Sequence, residues 1–490
     1  MREIELKFDI AADAEEELRR SRLLRGVEPR TRSLRAIYFD TPDHRLAANG
    51  MALRVRREGE RWVQTLKGGG GVQGALHSRD EYETERPDAT LDLAALKDTP
   101  AAAVLRGEAL GPVFEVSVER TTWCVSLGPS DRVEVALDLG HVRHGRKRAP
   151  IREVEIESVE GDPAAVFEAA ERLLEKVALH SSSVSKAQRG YALARGEPAA
   201  PRKAVPVALA RNASLDTAAR RVIAAALTQM QANAPHVPAG DDEYLHQFRV
   251  GLRRLRAAVR QFAELFDADS LRSIRADGRW LSRLTGEARD WDVFAAETLD
   301  ALEGDARVKE SVQEARAAAR ARLAVALGST RYAAFALRFT RWLARPAHAV
   351  PRPARVVAAR ALERQHRKAL RALHGVAALA PGERHRVRIR LKRLRYACDA
   401  LASLFAAKDA EAYIDALAQL QKVLGAAMDA RVAMRLVKSV EASAAWRAAA
   451  RAHLEVAEAR SLEPVERQVA ALRSARPFWR RPSAPMKPRD

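Results

Sequence analysis

Cysteine is close to missing from this chain. Only Cys124 and Cys398 occur among 490 residues, far apart in sequence. That excludes a disulfide framework and a cysteine metal site, and it fits a reducing, cytoplasmic setting. Long apolar runs are missing too. No stretch of about 18 uncharged apolar residues exists, so no membrane span is expected. The first residues are acidic and strand-like from residue 3, unlike a secretory signal. The Gly68–Gly71 run lacks the Gly-Lys-Ser/Thr that completes a Walker loop, and it reads as a hairpin connection.

What the chain does have is apolar mass and unevenly placed charge. It is 47% hydrophobic, enough for real cores, and its length implies two or more domains. Residues 1–200 carry 31 Lys and Arg against 34 Asp and Glu, a net of −3; residues 201–490 carry 53 against 30, a net of +23. A nearly neutral half is joined to a strongly basic one, which should attract a polyanion. DNA, RNA and inorganic polyphosphate all qualify on charge.

The neutral half repeats one pattern. Side chains of a strand alternate between faces. Glu3, Glu5 and Lys7 therefore share one face, and Ile4, Leu6 and Phe8 the other. Residues 34–42, 52–57 (Arg54 and Arg56 on one face), 61–67 (ending in Lys67) and 79–86 (Glu81, Glu83, Glu85) also read as strands. So do Phe114 to Arg120, Thr121 to Leu127, 132–139 (Glu134, Asp138) and 151–157 (Glu153, Glu155, Glu157). Helices are expected over 11–30, through Leu18, Leu23 and Leu24, and over 163–178. About eight strands thus turn charge to one side and apolar residues to the other. Enclosed carboxylates would take up protons unless cations held them ionised. Enclosed Arg and Lys would repel each other without anions. A closed barrel holding divalent cations and a chain of phosphates resolves both problems.

Six segments in this order, Glu3-Ile-Glu-Leu-Lys7, Tyr38-Phe-Asp-Thr41, Leu53-Arg-Val-Arg56, Leu66-Lys67, Glu153-Val-Glu155 and Ser185-Lys-Ala-Gln-Arg-Gly-Tyr191, resemble the CYTH family of triphosphate tunnel metalloenzymes over residues 1–196. The resemblance implies an eight-stranded antiparallel tunnel that hydrolyses a triphosphate with Mg²⁺ or Mn²⁺. It implies metal on Glu3, Glu5, Glu153 and Glu155, and phosphate on Lys7, Arg54, Arg56, Lys67, Arg120 and Lys186. Glu83 and Asp138 would help with metal or water, with Glu81 sharing the parity of Glu83. Inorganic triphosphate is the expected substrate; thiamine or nucleoside triphosphatase and adenylate cyclase chemistry remain alternatives within the same fold. A non-catalytic polyphosphate-granule protein is another.

Residues 197–210 are Pro-rich and read as a linker, and 476–490 read as a disordered basic tail. Between them lies an all-α region with a repeat. His246-x₂-Arg249-x₃-Arg253-Arg254-x-Arg256 matches His385-x₂-Arg388-x₃-Lys392-Arg393-x-Arg395, and the distance to a following aspartate is equal, 290 − 246 = 44 and 429 − 385 = 44. At about 100° per residue, His246, Arg249, Arg253, Arg256 and Arg260 form one stripe beside an apolar one. His385, Arg388, Lys392 and Arg395 repeat it, and Asp399 stands where the first copy has Arg260. Two such helices facing each other would make a cleft with a double row of cations. These motifs resemble the CHAD domain over residues 211–475. That implies polyphosphate contacts from His246, Arg249, Arg253, Arg256, His385, Arg388, Lys392 and Arg395, with Asp290 and Asp429 holding the basic side chains. Few aromatics punctuate the basic helices, which disfavours single-stranded nucleic acid. The expected molecule is therefore a multidomain α+β phosphohydrolase, a β tunnel with flanking helices followed by a two-repeat helical bundle. Its expected setting is the cytoplasm, on or near polyphosphate granules.

Overall fold

The structure is a computed structural model. It describes residues 2–73, 75–196, 200–302, 306–346, 352–405 and 407–480. It divides into two units, Met1–Pro201 with Ala326–Arg345, and Arg202–Val325 with Pro346–Asp490.

Strict alternation in the first unit gives nine strands: β1 (Arg2–Ile10), β2 (Arg30–Asp40), β3 (Ala52–Glu58), β4 (Arg61–Gln73), β5 (Leu76–Arg86), β6 (Gly111–Ser126), β7 (Arg132–His144), β8 (Lys147–Glu160) and β9 (Leu179–Ser181). The sheet order is β5-β4-β3-β2-β6-β7-β8-β1-β9, and β1 pairs β5 as well as β8, which closes an antiparallel ring of eight. Even-numbered residues of β1 and β8 face outward and form a core. Leu6, Phe8, Val154 and Ile156 pack there with Val166, Phe167 and Leu173 of helix α4. Short helices α1 (Glu15–Arg19), α2 (Arg45–Ala48) and α3 (Ala101–Leu105) precede α4 (Ala165–Leu173) and α5 (Lys186–Arg195). Leu46 of α2 and Leu105 of α3 cover Leu53 and Leu66 outside β3 and β4.

Three local readings change. The helix expected over 11–30 shrinks to α1 with turns after it, although Leu18, Leu23 and Leu24 are buried as expected. Their spacing of five and then one suits turns better than a 3.6-residue period. The two segments after Phe114 are one continuous strand, since no breaker interrupts Arg120-Thr121-Thr122. The glycines after Lys67 belong to β4, where the register shifts between Gly68 and Gly71. They act as a bulge rather than the hairpin connection.

The second unit is helical: α6 (Leu215–Asn233), α7 (Asp242–Gln261), α8 (Ala268–Val293) and α9 (Ala306–Leu327). Helix α10 (Thr330–Ala344) follows but belongs to the first unit, where Ala333 and Leu337 complete the core around Phe8 and Phe167. Then come α11 (Ala354–Ala372), α12 (Pro381–Leu401), α13 (Ala407–Leu436), α14 (Ala444–Leu462) and α15 (Val465–Ser474). Helices α6–α9 and α11–α14 are the two copies, offset by 385 − 246 = 139 residues. The offset reappears where the copies begin. Leu215 N donates to Arg352 O and Ala354 N to Ala213 O, both at 2.9 Å, and both separations between equivalents are 139 (352 − 213, 354 − 215). The exchange is reciprocal, as a local two-fold requires. Order extends past the expected start of the tail. Phe478 and Trp479 are buried against Tyr413, and Trp479 Nε1 and Arg480 bond Glu363.

Candidate active site and anion cleft

Register carries the chemistry of the ring. On one arc, Arg120 of β6 lies opposite Asp138 of β7, Asp138 opposite Glu153 of β8, and Lys7 of β1 opposite Glu155 of β8. On the facing arc, Tyr38 of β2 pairs Arg54 of β3, Arg54 pairs Thr65 of β4, and Thr65 pairs Glu83 of β5. Since β8 and β3 stand four strands apart in a ring of eight, these rows face each other across a lumen of about 290 Å³. Glu5, Lys7, Arg54, Arg56, Lys67, Glu83, Arg120, Asp138, Glu155 and Lys186 all line it. Glu153 is fully buried behind that wall, and the Glu3 side chain lies outside the described residues.

The first arc is a network of charges. Lys7 Nζ is 2.5 Å from Glu155 Oε1 and 3.5 Å from both Glu5 and Glu153. Lys186 Nζ is 2.6 Å from Asp138 and 2.9 Å from Glu155, and also bonds Glu153. Arg120 grips Asp138 through two bonds, 2.7 and 2.6 Å, and reaches Glu155. Burial alone would lower Lys7, but Glu155, Glu5 and Glu153 raise it well above its usual value. Burial alone would raise Glu155, but Lys186, Lys7 and Arg120 hold it well below the usual carboxylate range. Asp138 is lowered too, against its burial, by Lys186 and Arg120. Glu153 stays raised, because burial and the Glu155 charge outweigh Lys186 and Lys7.

One carboxylate oxygen each of Asp138, Glu153 and Glu155 lies within 4.8 Å of the others, and Glu153 Oε2 is buried without a hydrogen-bond partner. Three hard oxygen donors, one with an orphaned oxygen, fit a divalent cation. Asp138 thus joins Glu153 and Glu155 more closely than Glu5, which contacts Lys7.

The facing arc carries Arg54, Arg56 and Lys67 with carboxylates beside them. Arg56 pairs with Glu58 and Lys67 with Glu81. Glu83 instead accepts from Thr65 Oγ1 at 3.3 Å. The neighbouring Arg54 charge, then burial, pushes the Arg56 guanidinium down to about 10. Burial would raise the Tyr38 phenol, but Arg54, Lys186 and Lys67 lower it. Not every wall is charged, because Leu34, Ala36, Val116 and Val118 also face the lumen.

Two of the sequence segments both reach the lumen, through Tyr38, Ser185 and Lys186, and hold Lys186 in place. Ser185 and Gln188 form a capping box at the start of α5. Tyr191 donates to Asp40 Oδ2 at 2.8 Å, and Asp40 also accepts the N–H groups of Thr41, Leu46 and Ala47 at 2.8, 2.9 and 3.0 Å. Gly190 lets α5 lie on Phe114, since a Cβ there would sit 2.1 Å from the ring. Phe114 in turn stacks on Tyr38 at 4.6 Å.

In the second unit, His246, Arg249 and Arg253 of α7 and His385, Arg388 and Lys392 of α12 converge on a cleft of about 630 Å³. Arg256 and Arg395 are not among its lining residues. Arg256 bonds Ser282 Oγ at 2.5 Å, and Arg395 lies over Tyr396 at 5.4 Å and 3.9 Å from Asp399. The cleft's own aspartates stand off, 3.7 Å for Arg388–Asp429 and 3.9 Å for Arg435–Asp290, while Arg431 pairs with Glu458 at 2.7 Å. The Nε atoms of Arg253 and Arg388 are buried without hydrogen-bond partners. Burial and Arg253 push Arg249 down to about 10, and burial with Arg388 and Arg253 pushes Lys392 down to about 7. Burial lowers both histidines.

A CYTH domain model matches residues 1–191 and a CHAD domain model matches residues 221–438. The solved CHAD domain from the plant Ricinus communis superimposes with a TM-score of 0.50 at 30% identity, covering 56% of this chain and 98% of that one. The chain belongs to the CYTH–CHAD family. The chain is also similar to a protein of Haemophilus influenzae named inorganic triphosphatase, 38% identical over 165 residues. That match covers 32% of this chain and 44% of the Haemophilus protein. No helix among the described residues is long and apolar enough to cross a membrane. Sequence reasoning gave Tyr38 no place in the CYTH lumen because it followed charge alone. In the CHAD cleft it missed Arg289, Arg431 and Arg435. Arg289 precedes Asp290, and the other two follow Asp429 at helical spacing.

Proposed function

We propose that the CYTH unit hydrolyses inorganic triphosphate to diphosphate and phosphate with Mg²⁺ or Mn²⁺, and that the CHAD unit binds polyphosphate. The observation that carries the first half is a lumen with a carboxylate trio on one arc and Arg54, Arg56 and Lys67 on the other. The similarity to the Haemophilus triphosphatase supports it. Asp138, Glu153 and Glu155 would hold the cation, with Glu5 beside them. A cation bound there would polarise phosphate oxygens and acidify a bound water. Arg54, Arg56 and Lys67 bind the phosphate chain from the opposite side and offset charge that grows on the leaving diphosphate. Lys7 and Lys186 turn from carboxylate to phosphate as the trio is neutralised. Arg120 holds Asp138 and keeps it ionised. Among the described residues Tyr38 is the one aromatic lining the lumen, and one face of its ring is stacked on Phe114. The lumen thus offers little aromatic surface to a nucleobase or thiazole, which favours an inorganic substrate.

The CHAD half of the reading rests on the cleft's excess of cation. It would draw polymer to the enzyme and keep it at cytoplasmic polyphosphate granules. The test is phosphate release from triphosphate, ATP, thiamine triphosphate and long polyphosphate, with and without Mg²⁺. Metal-dependent release from triphosphate above the others is expected; equal release from ATP would overturn the inorganic reading. Recruitment is tested in the full chain with Arg388→Ala/Lys392→Ala. A cut at residue 197 would strip Ala333 and Leu337 from the CYTH core.

A further inference from the structure

The two CHAD copies are unequal at one place. In the first copy, Arg256 and Arg260 of α7 lie beside Arg275 and Arg279 of α8. The Arg256 stem lies over Gly278, and its guanidinium bonds Ser282 Oγ at 2.5 Å. At about 100° per residue, Arg275, Arg279 and Ser282 share the face of α8 that meets Arg256. Arg393 of α12 comes near enough for its charge to act on both Arg256 and Arg260. Partial burial, then the like charges of Arg393, Arg256 and Arg275, push Arg260 down to about 10. Among the described residues, burial and like charges are what shift Arg256 and Arg260.

The 139-residue offset gives the equivalent place in the second copy. There Arg395 answers Arg256, Asp399 answers Arg260, Ile414 answers Arg275, Ala418 answers Arg279, and Arg254 answers Arg393. Five cations face two cations and one acid, +5 against +1. Asp399 lies 3.9 Å from Arg395, and its charge also acts on Arg254. One fold thus carries a neutralised patch and an uncompensated one, so the helical scaffold does not itself require the cations. Arg249, Arg253, Arg256 and Arg260 lie on one stripe of α7, and the rise from Arg249 to Arg260 is about 16 Å.

We infer that Arg256, Arg260, Arg275, Arg279 and Arg393 form a second anion subsite, which takes the part of a long polyphosphate chain that runs on from the cleft along α7. The inference rests on the polyphosphate-binding reading of the CHAD unit. It adds that binding is one-sided and depends on chain length. Chains that fill the cleft alone never reach the patch; longer chains gain its five cations. The continuous stripe favours one linear polymer over a duplex, whose stiff backbone would have to follow both the cleft and the helix.

The test is binding of polyphosphates of about 10 and about 100 units to the full chain in EDTA, across a salt series. Three variants are compared: Arg260→Asp/Arg279→Ala in the patch, Asp399→Arg in the mirror position, and Arg388→Ala/Lys392→Ala in the cleft. The patch variant is expected to lose about tenfold for the long chain and under twofold for the short one. Its salt dependence should flatten by about two phosphate contacts. Asp399→Arg should tighten the long chain. Unchanged melting temperatures and circular dichroism establish that the fold survives. If only the cleft variant weakens binding, the second subsite is wrong and the polyphosphate reading stands. If no variant weakens binding, the polyphosphate reading itself falls. Duplex DNA of about 25 base pairs that binds as tightly at matched salt, and loses equally in the patch variant, would overturn the choice of polymer.

Discussion

In the tunnel, Lys7, Lys186 and Arg120 each touch a carboxylate. In the cleft, Arg253 and Arg388 keep buried Nε atoms unpartnered, and the acids stand 3.7 and 3.9 Å away. Both regions are dense in cation, yet the lysines on the tunnel's acidic arc and the lysine in the cleft shift in opposite directions. Lys7 is raised well above its usual value, and Lys392 is pushed down to about 7. The difference separates two ways of meeting an anion. On the acidic arc the lysines are already paired, so phosphate must compete with Glu155 for Lys7 until a metal cation takes the carboxylates. The cleft's cations outnumber its acids, Asp290, Glu297 and Asp429, so most of its electrostatic gain arrives with the polyanion.

The sharpest way to break this comparison is Glu155→Gln. Metal-dependent phosphate release should fall by about 10²–10³-fold, the scale of losing one transition-state electrostatic group, while polyphosphate binding by the CHAD unit stays within twofold. A matching loss of binding would show that the two regions are not independent. Next is Arg388→Ala/Lys392→Ala, which should weaken long polyphosphate by about 10–100-fold and flatten the salt dependence by about two contacts. Its kcat on triphosphate should not change.

A smaller effect comes from pH. With Lys392 at about 7 in the free protein, polyanion binding favours its ammonium form, so binding takes up a proton. Affinity should therefore fall as pH rises above 7, by up to about tenfold per unit, and level off below. Calorimetry at pH 8 in buffers of different ionisation enthalpy should read an uptake approaching one proton, and Lys392→Met should remove it. The smallest change is Tyr191→Phe. Losing its bond to buried Asp40 should cost about 1–2 kcal/mol of stability and a few-fold in kcat, with KM held. A shift in KM alone would argue that α5 does not aim Lys186.

Most of the ring was legible before any coordinates, because a two-residue period is unforgiving: Glu5, Lys7, Arg54, Asp138 and Glu155 fall on the inner face from parity alone. Parity could not say that Arg120 would sit on Asp138 instead of standing free. That depends on the offset between β6 and β7, which is a tertiary quantity. Nor could it separate Glu81 from Glu83, two residues apart on one face. In the CHAD unit the stripe placed six of eight expected contacts in the cleft. The other two, Arg256 and Arg395, lie about one turn further along their helices and outside the cleft's lining. The membership of α10 in the CYTH core had no local signal, since its apolar residues would suit either unit.

Ring closure has a consequence for synthesis. β1 is the first strand to leave the ribosome, yet its partner β8 ends at Glu160, so Leu6 and Phe8 have no finished core until about a third of the chain has been made. Ala333 and Leu337 arrive later still. Such long-range pairing folds slowly and exposes apolar edges in the meantime. Nascent chains paused before residue 345 should therefore depend on chaperones in a way that the completed protein does not.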